Sequence, residues 1–326
     1  MEKLISQKTL REIDERIPDA LRLAFGIRYR ASPAPRPGGP DEIANFAAVL
    51  LPPREHGEHG GGVDSVPTRR DDDDDEAPRR DLRMEFGSCY LKRHDEDAHF
   101  GNAEAGVVGV ADGVGGYRGR GVDAAAFAQG LMRSAHEEAV TAPPGTRVCP
   151  HTLLERAYEK TAASRTPAAS TAVIVSLAGR ALRWAYVGDS GFAVFRDGRL
   201  LRRSREQQHR FNCPVNLKAE GGGGGAGVAD AEVGEAPARA GDVVVVGTDG
   251  LFDNVFDGEL ERIVQMGVTM GFSPLNMAEV IAAFAHETAR CTYRDTPYSI
   301  EKRKRRGSAS TCGKPDDITV VVAFIV

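Results

Sequence analysis

The chain of 326 residues lacks any apolar run close to the roughly 20 residues needed to cross a bilayer. The longest candidates, near Ile43 to Leu51 and Ile318 to Val326, fall well short, so a soluble protein is expected with no membrane partner. It also lacks paired cysteines. Cys89, Cys149, Cys213, Cys291 and Cys312 are odd in number and scattered, with no CxxC among them, which argues against both a disulfide framework and a zinc site. The first twenty residues have no apolar signal-peptide core, and Glu2, Glu12, Asp14 and Glu15 are out of place in an acid-poor transit peptide. A cytoplasmic or nuclear location is the resulting expectation. A net charge of -5 gives no general pull toward nucleic acid.

What is present divides near residue 82. In the N-terminal extension, residues 1–81, Leu4, Ile5, Leu10, Ile13, Ile17 and Leu21 recur at helix-like intervals, interrupted by Pro18. The pattern then dissolves into Pro-, Gly- and Asp-rich sequence, including the run Asp71 to Asp75. Such sequence buries too little apolar surface to offset the cost of ordering and is read as a disordered linker.

Residues 82–326 read as an α+β domain. Short strands are expected at 170–177, 181–187, 191–195 and 200–204, joined by Gly- and Asp-containing turns as an antiparallel meander. Two further strands, 242–248 and 318–326, are apolar on both faces and must be covered on both. Helices at 123–140 and 151–163, and one opened by Ser273-Pro274, supply the cover, giving two packed sheets between helical layers. The Gly221 to Gly227 stretch reads as a flexible loop.

The chemistry is carried by carboxylates at strand ends. "GVADGVGGY" (Gly109 to Tyr117) ends an apolar strand on Asp112 and then strips the next turn of side chains. "VGDSG", "VVGTDGLFDN", "KPDDITVVV" and "HDEDAHF" repeat the theme at Asp189, at Asp249, at Asp316 and Asp317, and at Asp95, Glu96 and Asp97. Any one Asp-Gly is more often a plain turn than a ligand. Several acids converging at one sheet rim, however, repel unless cations neutralise them, and all-oxygen donors select hard ions such as Mg²⁺ or Mn²⁺. Glycine beside Asp112 lets backbone and ligand approach closely.

In this order, the segments "EDAHF", "GVADGVGGY", "VGDSGFAVF", "GTDGLFDN" and "GKPDDITVVVAF" resemble the metal-dependent PP2C protein phosphatases. "ADGVGG" and "EQQHRFNCP" (Glu206 to Pro214) resemble most the Ptc7-like branch. The resemblance implies a four-layer α-β-β-α sandwich and a binuclear metal centre holding two Mg²⁺ or Mn²⁺ ions. Asp112 would bridge the ions, Asp249 and Asp316 would complete one site, and the Gly113 carbonyl with Glu96 would complete the other. Asp97 would orient the attacking water, and a weaker third ion seen in some relatives implicates Asp189 with Asp249. Lys92, with Arg93 adjacent, falls where relatives hold the phosphate, and an exposed strand-end charge is the equal alternative.

Many relatives have histidine after the first Asp-Gly, where Val114 stands here, which leaves the leaving-group proton donor open among a water, His94, His99 and His209. No CxxxxxR loop is present, consistent with direct attack by water and no covalent phosphoenzyme. The implied partners are phosphoserine and phosphothreonine proteins, acted on by a monomer. A hydrolase of a small phosphorylated metabolite and a non-catalytic binding module on the same fold are the alternatives. The basic run Lys302 to Arg306 reads as a solvated loop, an import signal or a docking patch.

Overall fold

A computed structural model describes residues 81–326 except 144–145, 165–167, 219–226 and 308–310. The expected helix-like segment and linker of residues 1–80, and the glycine run at 221–226, lie outside the described residues.

Two antiparallel five-stranded sheets form the centre. The first contains β1 (Met84–Leu91), β7 (Gly191–Arg196), β8 (Arg199–Arg203), β13 (Val243–Gly247) and β14 (Ile318–Ile325), in the order β1-β14-β13-β7-β8. The second contains β2 (Asp97–Asn102), β3 (Val107–Asp112), β5 (Ala172–Ala178), β6 (Ala181–Val187) and β12 (Glu232–Pro237), in the order β12-β6-β5-β3-β2. Short ribbons pair β4 (Ala169–Ser170) with β11 (Leu217–Lys218) and β9 (Gln208–Arg210) with β10 (Cys213–Pro214).

The period-two alternation of the strands divides their side chains between three apolar layers. In β13, Val244 and Val246 face the other sheet, whereas Val243 and Val245 face helices α4 (Asp257–Thr269) and α5 (Pro274–Arg290). In β5, Val173 and Val175 join the inter-sheet layer, and Ala172 and Ile174 pack under α1 (Ala125–Thr141) and α2 (Pro150–Ala163). Every face of these two strands is therefore buried, which accounts for their continuous apolar sequence. The helices present Phe127, Leu131 and Ala135 from α1, and Ile281, Phe284 and Ala285 from α5. Ser273 caps α5 by accepting the Asn276 N–H, with Pro274 in the first turn. The architecture is the expected α+β four-layer sandwich.

Two expectations are corrected. The meander is interrupted, because β6 and β7 lie in different sheets. The turn Gly188-Asp189-Ser190 carries the chain across the sandwich, with Gly188 at a φ of 106°, where a side chain would strain the backbone. Next to the turn, residues 184–187 and 191–195 are buried on both faces, and Tyr186 meets Phe192 edge-on between the sheets at 6.1 Å. The reading of Lys302 to Arg306 as a loop also gives way, although Lys304 to Arg306 are exposed as that reading expects. These residues end helix α6 (Pro297–Arg306), where Arg303 pairs with Asp295 at 2.5 Å and Arg305 with Glu301 at 2.6 Å.

Candidate metal centre

Both sheets contribute acids to one rim. Asp97 opens β2 and lies directly opposite Asp112 at the end of β3. From the other sheet, Asp249 follows β13 as the first residue of α3 (Asp249–Phe252), and Asp316 precedes β14. The helical position of Asp249 places its carboxylate at a helix N-terminus rather than in a plain turn.

Asp97 is held where the sheets meet. The hydroxyls of Thr248 and Thr319 donate to its Oδ2 at 2.8 and 2.7 Å, while the buried Oδ1 has no hydrogen-bond partner. The Asp112 N–H donates to Thr171 Oγ1 at 3.0 Å, which fixes the strand end. A Cβ on Gly113 would collide with the Ala124 carbonyl and lie 2.8 Å from the Glu96 carbonyl. Only glycine lets the chain pass between these two carbonyls.

Asp317 organises the loop before β2. Its Oδ1 accepts the N–H groups of Arg93, His94 and Asp95 at 2.5, 2.7 and 3.2 Å, and its Oδ2 accepts the Glu96 N–H at 2.7 Å. His94, Glu96 and Asp317 offer ligand atoms within 4.8 Å of one another. With both of its oxygens taken by backbone donors, Asp317 acts as a strut. Burial pushes its carboxyl up, and these hydrogen bonds outweigh that and hold it below the usual range.

A cleft of about 340 Å³ opens above these elements, lined among others by Glu96, Asp112, Gly113, Val114, Asp249 and Asp316. Asp97 is buried opposite Asp112 and does not line the cleft. Asp189 is buried at the sheet-crossing turn, with Oδ2 accepting from Gln208 Nε2 at 3.0 Å and Oδ1 unpartnered. Burial, then repulsion from Asp249, Asp97, Asp316 and Asp189, raises the Asp112 carboxyl well above the ordinary range. Burial and neighbouring acids likewise raise Asp97, Asp189 and Asp316, and push Asp253 up to about 7. Carboxylates grouped this closely, with Asp97 Oδ1 and Asp189 Oδ1 unpartnered, fit a hard divalent cation, and the His94 imidazole lines the same cleft.

The cations of the cleft differ from those the sequence suggested. Lys92 is exposed and pairs with Asp95 at 2.8 Å, and neither Lys92 nor Arg93 lines the cleft. The lining cations are Arg118, whose Nε donates to Glu96 Oε1 at 2.5 Å, and Lys314. Lys314 pairs with Asp249, with Asp253 at 3.1 Å and with Asp316 at 3.3 Å. Burial works against its charge, but the three acids outweigh it and raise its pKa well above the ordinary value. Among the candidate histidines only His94 lines the cleft, with Nδ1 3.3 Å from Asp316 Oδ1. His99 lies within β2 with its pKa lowered by burial, and His209 is exposed on β9.

The chain is similar to known proteins in sequence and in fold. The family model described as Stage II sporulation protein E (SpoIIE) matches residues 107–324. "Putative protein phosphatase 2C 24" of Oryza sativa subsp. japonica is 52% identical, over 98% of this chain and 98% of its own. "Protein phosphatase PTC7 homolog fig" of Drosophila ananassae is 35% identical, over 72% of this chain and 74% of its own, in line with the resemblance to the Ptc7-like branch. Among solved structures, that of the photosystem II phosphatase PBCP superposes with a TM-score of 0.65 at 29% identity, covering 74% of this chain and 99% of that one. With a sandwich of this topology and a carboxylate rim built from both of its sheets, the chain belongs to the PP2C family of metal-dependent protein serine/threonine phosphatases.

Proposed function

We propose that Asp112, Asp249 and Asp316 hold one divalent cation and that Asp112, the Gly113 carbonyl and Glu96 hold a second, within a catalytic domain spanning residues 82–326. The observation that carries this reading is the convergence of acids from both sheets on one cleft, with oxygens left unpaired beside it. Two such ions, when bound, supply an activated water near neutral pH and neutralise the phosphoryl charge during in-line transfer.

The chain's own residues set the geometry for that chemistry. Asp97, fixed through Oδ2 by Thr248 and Thr319, directs its free Oδ1 as an acceptor that orients the attacking water. Arg118 lines the cleft with its guanidinium partly exposed, and a planar fork of donors suits a phosphate better than the outlying Lys92 does. It therefore takes the phosphate-holding role. His94 is the histidine with access to the leaving oxygen, Val114 being unable to donate.

The substrates are phosphoserine and phosphothreonine proteins, and the names of the relatives favour these over a small metabolite. The enzyme acts as a monomer in the cytoplasm or nucleus, without nucleic acid. In support, the net charge is -5, and no described helix is long and apolar enough to cross a membrane. The test is phosphate release from a phosphothreonine peptide by metal-stripped protein. Turnover should appear on adding Mn²⁺ and vanish with EDTA, and undiminished turnover after exhaustive chelation would overturn the reading.

A further inference from the structure

Lys314 lies two residues before Asp316 and directs its ammonium into the acid cluster. A lysine has three N–H donors, and here three carboxylates meet them, from Asp249, Asp253 and Asp316. The lysine is fixed at its backbone as well. Its N–H donates to Asn254 Oδ1 at 2.9 Å, and its carbonyl accepts from Asn254 Nδ2 at 2.9 Å. Asn254 is fully buried, follows Asp253 directly, and also donates to the Gly250 carbonyl at 2.9 Å. Asp249, Asp253 and Lys314 thus hang on one scaffold. Tyr298 walls it on another side, with its ring 5.9 Å from the ammonium and its N–H donating to the Asp253 carbonyl at 3.0 Å.

We propose that Lys314 is a tethered cation occupying the third cation position of the centre, so that this protein binds two exchangeable divalent ions and no third. The inference rests on the two-ion reading given above. Asp253 is the discriminating residue. It belongs to neither assigned ion site, yet Lys314 pairs with it as well as with Asp249 and Asp316, and makes no ion pair with Asp112. The ammonium therefore neutralises Asp253 and one oxygen each of Asp249 and Asp316, close to Asp189, where a weak third ion would bind, and leaves Oδ1 of Asp249, Oδ1 of Asp316 and the Asp112 carboxylate to the first ion. A charge carried on the chain is present at a local concentration that does not depend on metal in solution. Its positive charge also repels a further dication at close range.

Metal-stripped full-length protein is equilibrated with saturating MnCl₂, and bound manganese per chain is counted by dialysis and atomic absorption. Wild type should bind two ions, and Lys314→Met should bind one more. Adding Asp253→Asn to that variant should remove the extra ion. Lys314→Arg, which keeps the charge, should stay at the wild-type count. Without metal, Lys314→Met should melt below wild type, because the acids lose their internal cation, and a melting temperature equal to or above wild type would overturn the proposal. A third ion in wild type, or no gain in Lys314→Met, would also overturn it, and the wild-type count decides alone if that variant does not fold. Fewer than two ions in wild type would instead strike the two-ion reading, since the gain on removing the ammonium is measured relative to wild type.

Discussion

Asp317 Oδ2 accepts the backbone N–H of Glu96 at 2.7 Å across 221 positions of sequence, joining the last strand of one sheet to the loop that opens the other. Replacing Asp317 with Ala would leave four backbone donors without their shared acceptor. We expect a loss on the order of 3 kcal/mol in unfolding free energy, the scale of a buried charge-assisted hydrogen bond. Manganese affinity should fall by roughly tenfold or more, as for other residues that orient a ligand. Thermal melts and a manganese titration check both, and an unchanged affinity would reduce Asp317 to a purely structural role.

Asp112→Asn should reduce turnover of a phosphopeptide by about 10² to 10³, the range for losing a preorganised charge at the reacting centre. The metal-free variant should melt no lower than metal-free wild type, because one of several mutually repelling acids is gone. Saturating manganese should stabilise wild type more than the variant; a single site at 100-fold over Kd gives about 2.7 kcal/mol. A large drop in metal-free stability would contradict the assignment.

Arg118→Ala should raise KM for a phosphopeptide by about tenfold with a smaller change in kcat, as for a group that binds phosphate equally in the ground and transition states. Lys92→Ala should leave both within about twofold, since its ammonium pairs with the exposed Asp95 outside the cleft. Steady-state kinetics on the two variants separate the positions, and the reverse ranking would restore Lys92.

Stability without metal should depend on pH in a set direction. Burial and acidic neighbours raise Asp97, Asp112, Asp189 and Asp316, and burial, partly countered by Lys314, takes Asp253 to about 7. An acid with a raised folded pKa takes up a proton on folding. The stability it contributes is complete below its unfolded value near 3.9 and is lost as pH rises through the folded value. The melting temperature of the stripped protein should therefore rise as pH falls from about 8 toward 5. Asp317 has the opposite sign, and its contribution disappears only as pH falls below the ordinary carboxyl range. Because ions require deprotonated ligands, stabilisation by manganese should shrink over the same descent from pH 8. Melts with and without manganese across this range test both slopes.

Much of this was legible in the chain. Strand β6 matches its sequence reading at 181–187, and β13 differs by one residue at each end, because largely apolar runs bounded by turn residues leave little choice. The ordered strand-end acids located the rim for the same reason. The crossing at Gly188 to Ser190 was not legible, since its composition is that of a hairpin turn. Only the burial of both faces of the flanking strands separates the two outcomes. Counting back from Glu96 suggested Lys92 and Arg93, but it could not register that Asp95, at a φ of 63°, bends the loop and that Lys92 pairs outward. Arg118 and Lys314 carry no spacing signal. They become site residues through the 3₁₀ turn at Gly115–Arg120 and the Asn254 clamp, which are tertiary facts.

The rim draws Asp97 and Asp112 from one sheet and Asp249 and Asp316 from the other, and the sheets touch through a layer of valines, Trp184, Tyr186 and Phe192. Ion affinity is consequently a gauge of how the sheets are aligned. A substitution deep in that layer, such as Val246→Ala, can slide one half of the sandwich against the other and detune the centre before the protein melts. Loops elsewhere on the surface are free of that constraint and can diverge without disturbing the chemistry.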